Sequence, residues 1–240
     1  MYFGIICVVE KLFKEKIMRA KWLGVVGVIA MCLATLPVGA QAEIIKIGFS
    51  GYVDGINDPY NLLEGAVTDG APISGYYIYD SLTSDSDPSI YTGLYEYSAA
   101  PYGMSLTIGT LTFQTDPANV DLEIGLSNNY YGETWDYYTI RSNNNLELDT
   151  GVSIDSISWQ LTDNTGNALS SDILPLGPPD LSAWQYDNHF SVRGGRYPFP
   201  PEGEKTLFNF GGYIDSVWLI PEPATLILFG LSGLLIRKRK

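Results

Sequence analysis

The chain has 240 residues, with 14 Lys and Arg against 27 Asp and Glu and a formal charge of −13. This length fits one domain with a sizeable core, and the acidity disfavours nucleic acid and anionic lipid head groups as partners. Two cysteines and one histidine exclude a disulfide framework and any histidine-based zinc centre.

The first element in chain order is a leader. Lys16 to Lys21 is basic, Trp22 to Leu36 is apolar, and Pro37-Val38-Gly39-Ala40-Gln41-Ala42 supplies small Ala40 and Ala42 at the positions a signal peptidase requires. Residues 1–42 are therefore expected to be a signal peptide cut after Ala42. Met18 is a better start than Met1, because Met18-Arg19-Ala20-Lys21 already forms the basic region. A lipoprotein anchored through Cys32 is the rival reading, and the bulky Met31 in front of that cysteine argues against it. Both cysteines, Cys7 and Cys32, fall outside the mature domain.

From Glu43 to Ile220 only five cations face 24 acids, a charge of −19. A solvated acidic surface accounts for this, and divalent cations are the partners it permits. Strand-like runs follow one another: Ile44 to Val53, Ile73 to Tyr79, Ile90 to Tyr97, Met104 to Phe113, Val120 to Leu126, Thr134 to Ile140, Val152 to Leu161, Phe190 to Arg193 and Leu207 to Ile220. They are rich in Tyr, Ile, Thr and Trp and alternate apolar with polar residues. The alternation shifts phase after Ile154, which predicts a bulge. Asp54-Gly55, Asp69-Gly70, Asn164-Thr165-Gly166 and Gly194-Gly195 are turn signals. Ser81 to Ser89 and Asp172 to Asp180 are loops, and Leu181 to Tyr186 is one helical turn. The pattern predicts an all-β domain over residues 43–219, an antiparallel β-sandwich or jelly-roll-like fold. It is flanked by an N-terminal signal helix and a C-terminal transmembrane-like helix.

The tail, residues 220–240, has three parts. Pro221-Glu222-Pro223 breaks any regular structure. Ala224 to Ile236 is a run of 13 uncharged residues, short of the roughly 20 of a full span unless flanking residues reach the interfaces. Arg237, Lys238, Arg239 and Lys240 form a basic stop held on the cytoplasmic side. The Pro-Glu-Pro, apolar run and terminal cations resemble the sorting signal of PEP-CTERM proteins, the substrates of exosortase. That resemblance implies Sec-dependent export, transient inner-membrane anchoring, cleavage near Pro221–Pro223, and delivery to the cell surface or medium of a Gram-negative bacterium that makes extracellular polysaccharide. Gly75 to Ser81, Leu161 to Asp172 and Leu174-Pro175 also resemble phrases that recur in the β-domains of such proteins. They bring no catalytic or binding residue with them.

No catalytic constellation emerges. His189 is the lone imidazole, and no Gly-x-Ser-x-Gly elbow accompanies it. The acid pairs Asp121 with Glu123 and Glu147 with Asp149 are expected by chance among so many carboxylates. No cofactor is expected. Asp80, Asp85 and Asp87 could converge on calcium, although the spacing lacks the D-x-D-x-D-G loop, and turn capping explains the same residues. Trp135, Tyr137 and Trp184, with Asn-rich surroundings, could stack on sugar rings, although alternate aromatics also fill sheet interiors. The expected function is a structural or adhesive surface protein of the envelope or biofilm. The alternatives are a carbohydrate-binding module for the cell's own exopolysaccharide and, behind it, a glycan-active enzyme.

Overall fold

The computed structural model describes residues 44–130, 134–196 and 206–221. The leader with Ala40 and Ala42, and the tail from Glu222 through Arg237, Lys238, Arg239 and Lys240, lie outside the described residues, as do both predicted terminal helices. Among the described residues no helix is long and apolar enough to cross a membrane.

Ten strands form one antiparallel sheet: β1 (Ile44–Asn57), β2 (Pro72–Asp80), β3 (Thr92–Tyr97), β4 (Gly103–Ile108), β5 (Leu111–Gln114), β6 (Leu122–Ser127), β7 (Asp136–Ser142), β8 (Ser153–Asp163), β9 (Asp187–Arg196) and β10 (Thr206–Leu219). Their order across the sheet is β3-β6-β7-β8-β9-β10-β1-β2-β4-β5. Period-two burial places one face of each strand inside. Ile45, Ile47 and Phe49 on β1 face inward, as do Leu122, Ile124 and Leu126 on β6 and Tyr138 and Ile140 on β7.

The sheet curls so that its inner face closes on itself. Phe49 of β1 and Tyr77 of β2 each lie 6.2 Å, centroid to centroid, from Trp159 of β8. Phe113 of β5 meets Phe210 of β10 at 5.2 Å, edge to face. Beyond β5 the chain is tied to the β7–β8 connection, where Asp116 N donates to Asn144 O at 2.9 Å and Leu146 N to Gln114 O at 2.9 Å. Bulges provide the curvature: β1 shifts register against β10 at Ser50/Gly51 and again at Val53/Gly55. A Cβ on Gly51 would collide with the Tyr213 carbonyl, so only glycine permits this approach.

The phase slip in β8 is a bulge between Ile154 and Ser156 against β9. The predicted helical turn is a 3-10 turn, Leu181–Ala183, capped by the Asp180 carboxylate accepting from Ser182 N. Three expectations are corrected: Asp54-Gly55 lies within β1 and Gly194-Gly195 within β9, so neither is a turn, and Met104 to Phe113 is not a single strand. It is the β4–β5 hairpin, turned at Gly109, whose φ of +58° is left-handed. Among the described residues the strands begin at Ile44 and end at Leu219. Ile220 N donates to Lys46 O at 2.8 Å, and Pro221 follows it exposed and without regular structure.

Candidate functional site

One cluster of solvent-accessible aromatics lies at one end of the β7–β8–β9 region. Trp135 precedes β7 and Tyr137 lies two residues on, so both project to the outer side. Their rings stack with centroids 6.2 Å apart and planes 13° from parallel. Tyr130 stands edge-on to Tyr137 at 6.2 Å, and Tyr186 stands edge-on to Trp135 at 4.9 Å. Tyr186 is set there by its own backbone, which donates to Thr162 O of β8 at 3.1 Å. Tyr186 is 61% exposed and Tyr130 40%, and Trp135 and Tyr137 are half-buried. Tyr130 also borders a depression of about 210 Å³ that Asp87, Ser89, Tyr91 and Thr92 complete. The result is a ring cluster beside a shallow polar hollow, a combination suited to apolar ring faces and hydroxyl groups.

Trp135 and Tyr137, expected at a sugar-stacking surface, meet in this cluster. Trp184 does not, and that expectation is corrected. It is 7% exposed, with its ring 6.3 Å from buried Tyr138. The 3-10 turn before it packs Leu181 and Ala183 on the core and carries Trp184 inward. Tyr186 was absent from the sequence expectation. Nothing local distinguishes it, because its place depends on strand pairing between segments far apart in the chain.

A second exposed aromatic patch covers the outer face of β10, β1 and β2. Tyr52 faces Tyr213 at 6.0 Å, the Lys46 ammonium lies 3.7 Å over the Tyr76 ring, and Trp218 lies across Gly48.

The predicted calcium group does not assemble. Asp80 Oδ1 accepts from Leu82 N at 2.9 Å, Asp85 Oδ1 accepts from Asp87 N and Leu94 N at 2.8 Å each, and Asp87 accepts from Ser89 N at 2.8 Å and Thr92 Oγ1 at 2.7 Å. These are turn-capping bonds, and those from Thr92 and Ser89 hold the Asp87 carboxyl below the usual carboxylate range. Among the described residues no three His, Cys, Asp or Glu side chains gather around a metal-sized space.

His189 stands edge-on to Tyr213 at 6.2 Å and lines a depression with Asp54, Ser191 and Arg193. The Ser191 hydroxyl is paired with that of Ser158 at 2.9 Å. Among the described residues no hydrogen bond joins His189 to a hydroxyl or carboxylate. Of the acid pairs, Asp121 accepts from Asn143 Nδ2 at 3.3 Å and Glu147 from Ser153 Oγ at 3.0 Å. Compared with protein families, with characterised proteins and with solved structures, the chain matches none.

Proposed function

We propose that this is an exported adhesive protein of the cell surface or extracellular matrix, and that its β-domain holds neutral polysaccharide without cleaving it. The observation that carries the binding part is the Tyr130–Trp135–Tyr137–Tyr186 cluster, four rings from three separated segments gathered where solvent reaches them. Folding alone gains little from leaving such rings exposed, whereas a pyranose face gains by covering them. A charge of −19 between Glu43 and Ile220 favours a neutral polymer over an anionic one. The packing of Phe49 and Tyr77 on Trp159, from opposite halves of the curled sheet, supports a sandwich-like arrangement of two layers.

Export, exosortase processing and transient inner-membrane anchoring are part of the proposal. They are supported by the leader ending at Ala42 and by the tail from Pro221 to Lys240. A cut after Ala42 and another near Pro221 would leave every strand of the described residues intact, because these run from Ile44 to Leu219.

Two experiments test the two parts. Titration against neutral polysaccharides should show binding that weakens about fivefold in Trp135→Ala or Tyr186→Ala, the order of one lost aromatic contact. Retained binding in both variants with loss in Tyr213→Ala would move the site to the second patch and overturn the assignment. Intact mass spectrometry of the protein from membrane, surface and medium should find a species that starts at Glu43 and ends near Pro221. A species that retains Lys240 in every fraction would sink the sorting proposal.

A further inference from the structure

Beneath the aromatic cluster lies a pair of buried acids. Asp136 opens β7, Asp163 closes β8, and the two are direct cross-strand partners. Both are 0% exposed. Partners in an antiparallel ladder put their side chains on the same face, with Cβ atoms roughly 5 Å apart. The two carboxylates therefore point inward together at the end of the sheet.

Their protein partners are all neutral. Asp136 Oδ1 accepts from Asn129 N and Oδ2 from Leu169 N, each at 2.8 Å. Asp163 Oδ2 accepts from Thr165 Oγ1 at 2.7 Å and Asn167 N at 3.0 Å. Asp163 Oδ1 is fully buried and has no hydrogen-bond partner. Burial works against the charge of Asp163, and hydrogen bonding from Thr165, Asn167 and Ala168 outweighs it, holding the carboxyl below the usual carboxylate range. Asp163 Oδ1 is nevertheless left without a partner next to a second buried carboxylate, and a bound cation would pair it.

The surrounding oxygens suit one. Asn129 is held at a left-handed φ of +52°, a conformation asparagine tolerates. Its Oδ1 accepts no hydrogen bond among the described residues and lies against Gly166, in the turn that Asp163 caps. Two carboxylates at strand ends and one amide oxygen on the connecting loop make a hard, all-oxygen donor set. Such a set matches calcium, which accepts six to eight oxygens in flexible geometry, better than magnesium, which demands a near-ideal octahedron.

We infer that Asp136, Asp163 and Asn129 form a calcium site that clamps the 128–135 connection to the 164–169 turn. This site is separate from the Asp80–Asp85–Asp87 loop and does not depend on the polysaccharide reading. The clamped connection nevertheless carries Tyr130 and Trp135.

Terbium, a calcium surrogate, tests it on the full 240-residue chain, because the neighbouring Trp135 indole sensitises its luminescence. The expected result is one saturable component displaced by calcium. Asp163→Asn should weaken it about tenfold or more, since affinity follows the ligand charge count. Asn129→Gly, which keeps the left-handed backbone and removes only the amide oxygen, should weaken it by a smaller factor. Asp85→Asn and Asp87→Asn should leave it unchanged. If Asp163→Asn loses its near-ultraviolet circular dichroism and does not fold, Asn129→Gly decides. Absence of a saturable component, or equal affinity in the native chain and Asn129→Gly, overturns the site.

Discussion

At the scale of single residues, the most exacting arrangement is the Tyr77–Tyr138 pair. Their hydroxyls meet at 3.0 Å across the closed inner face, one from β2 and one from β7. Burial pushes both phenols well above the ordinary tyrosine range; the negative charge Tyr138 would carry raises Tyr77 further, and the hydrogen bond from Tyr77 draws Tyr138 partly back. Each hydroxyl is the other's dry partner, so removing one leaves the survivor unsatisfied. Tyr138→Phe should cost about 1–3 kcal/mol in denaturant unfolding, the penalty of an unpaired buried polar group. The double variant Tyr77→Phe with Tyr138→Phe should cost less than the sum of the single changes, because it removes both orphans. Strict additivity would show that the hydroxyls do not depend on one another. Trp159 sets a different requirement, since its ring is met by Phe49, Tyr77 and Tyr138. Trp159→Ala should destabilise by about 3–5 kcal/mol, as truncation of a core aromatic does when the cavity cannot collapse.

At the scale of elements, local pattern located strands better than it located their ends. In Ser105 to Phe113 apolar residues continue to alternate through the turn, so periodicity alone extends one strand where the chain makes two. Gly109 carried the missing information. With φ at +58°, Gly109→Ala should destabilise by about 1 kcal/mol and spare β1 to β3, a local effect that amide hydrogen exchange would resolve. A uniform loss of protection across the sheet would contradict that locality. The bulge after Ile154 was legible because a one-residue slip moves every later side chain to the other face. The candidate site was half legible for the same reason. Trp135 just before β7 and Tyr137 on it sit two apart in extended chain, so their common side follows from the pleat. Tyr186 joins them only through the pairing of β7, β8 and β9, and Trp184 turns inward only because of a capped turn that packs on the core. The Asp136–Asp163 pair was invisible for a similar reason. Neither acid has a chemically distinctive neighbour in sequence, and their opposition exists only in the register of β7 on β8.

At the scale of the whole molecule, closure of the sheet converts tyrosine burial into a pH limit. Tyr97 is raised to about 12, chiefly by burial, and Tyr77 and Tyr138 are raised as well. In the unfolded chain all three ionise near pH 10, the ordinary tyrosine value. Below that pH both states carry the phenolic protons, and these groups contribute their full stability. Above it the unfolded chain loses protons that the native state retains, so stability falls with rising pH until the folded values are passed. Unfolding midpoints should therefore be flat approaching pH 10 and drop beyond it, and tyrosinate absorbance from the buried rings should appear together with unfolding. The Tyr77→Phe, Tyr138→Phe double variant should fall less steeply over the same range, because two of the five tyrosines raised by the fold, Tyr77, Tyr95, Tyr97, Tyr102 and Tyr138, are gone. An unchanged slope would assign the alkaline limit to groups outside this closed interior. A tyrosinate signal that precedes unfolding would show that the curled sheet opens locally at its inner face before it unfolds.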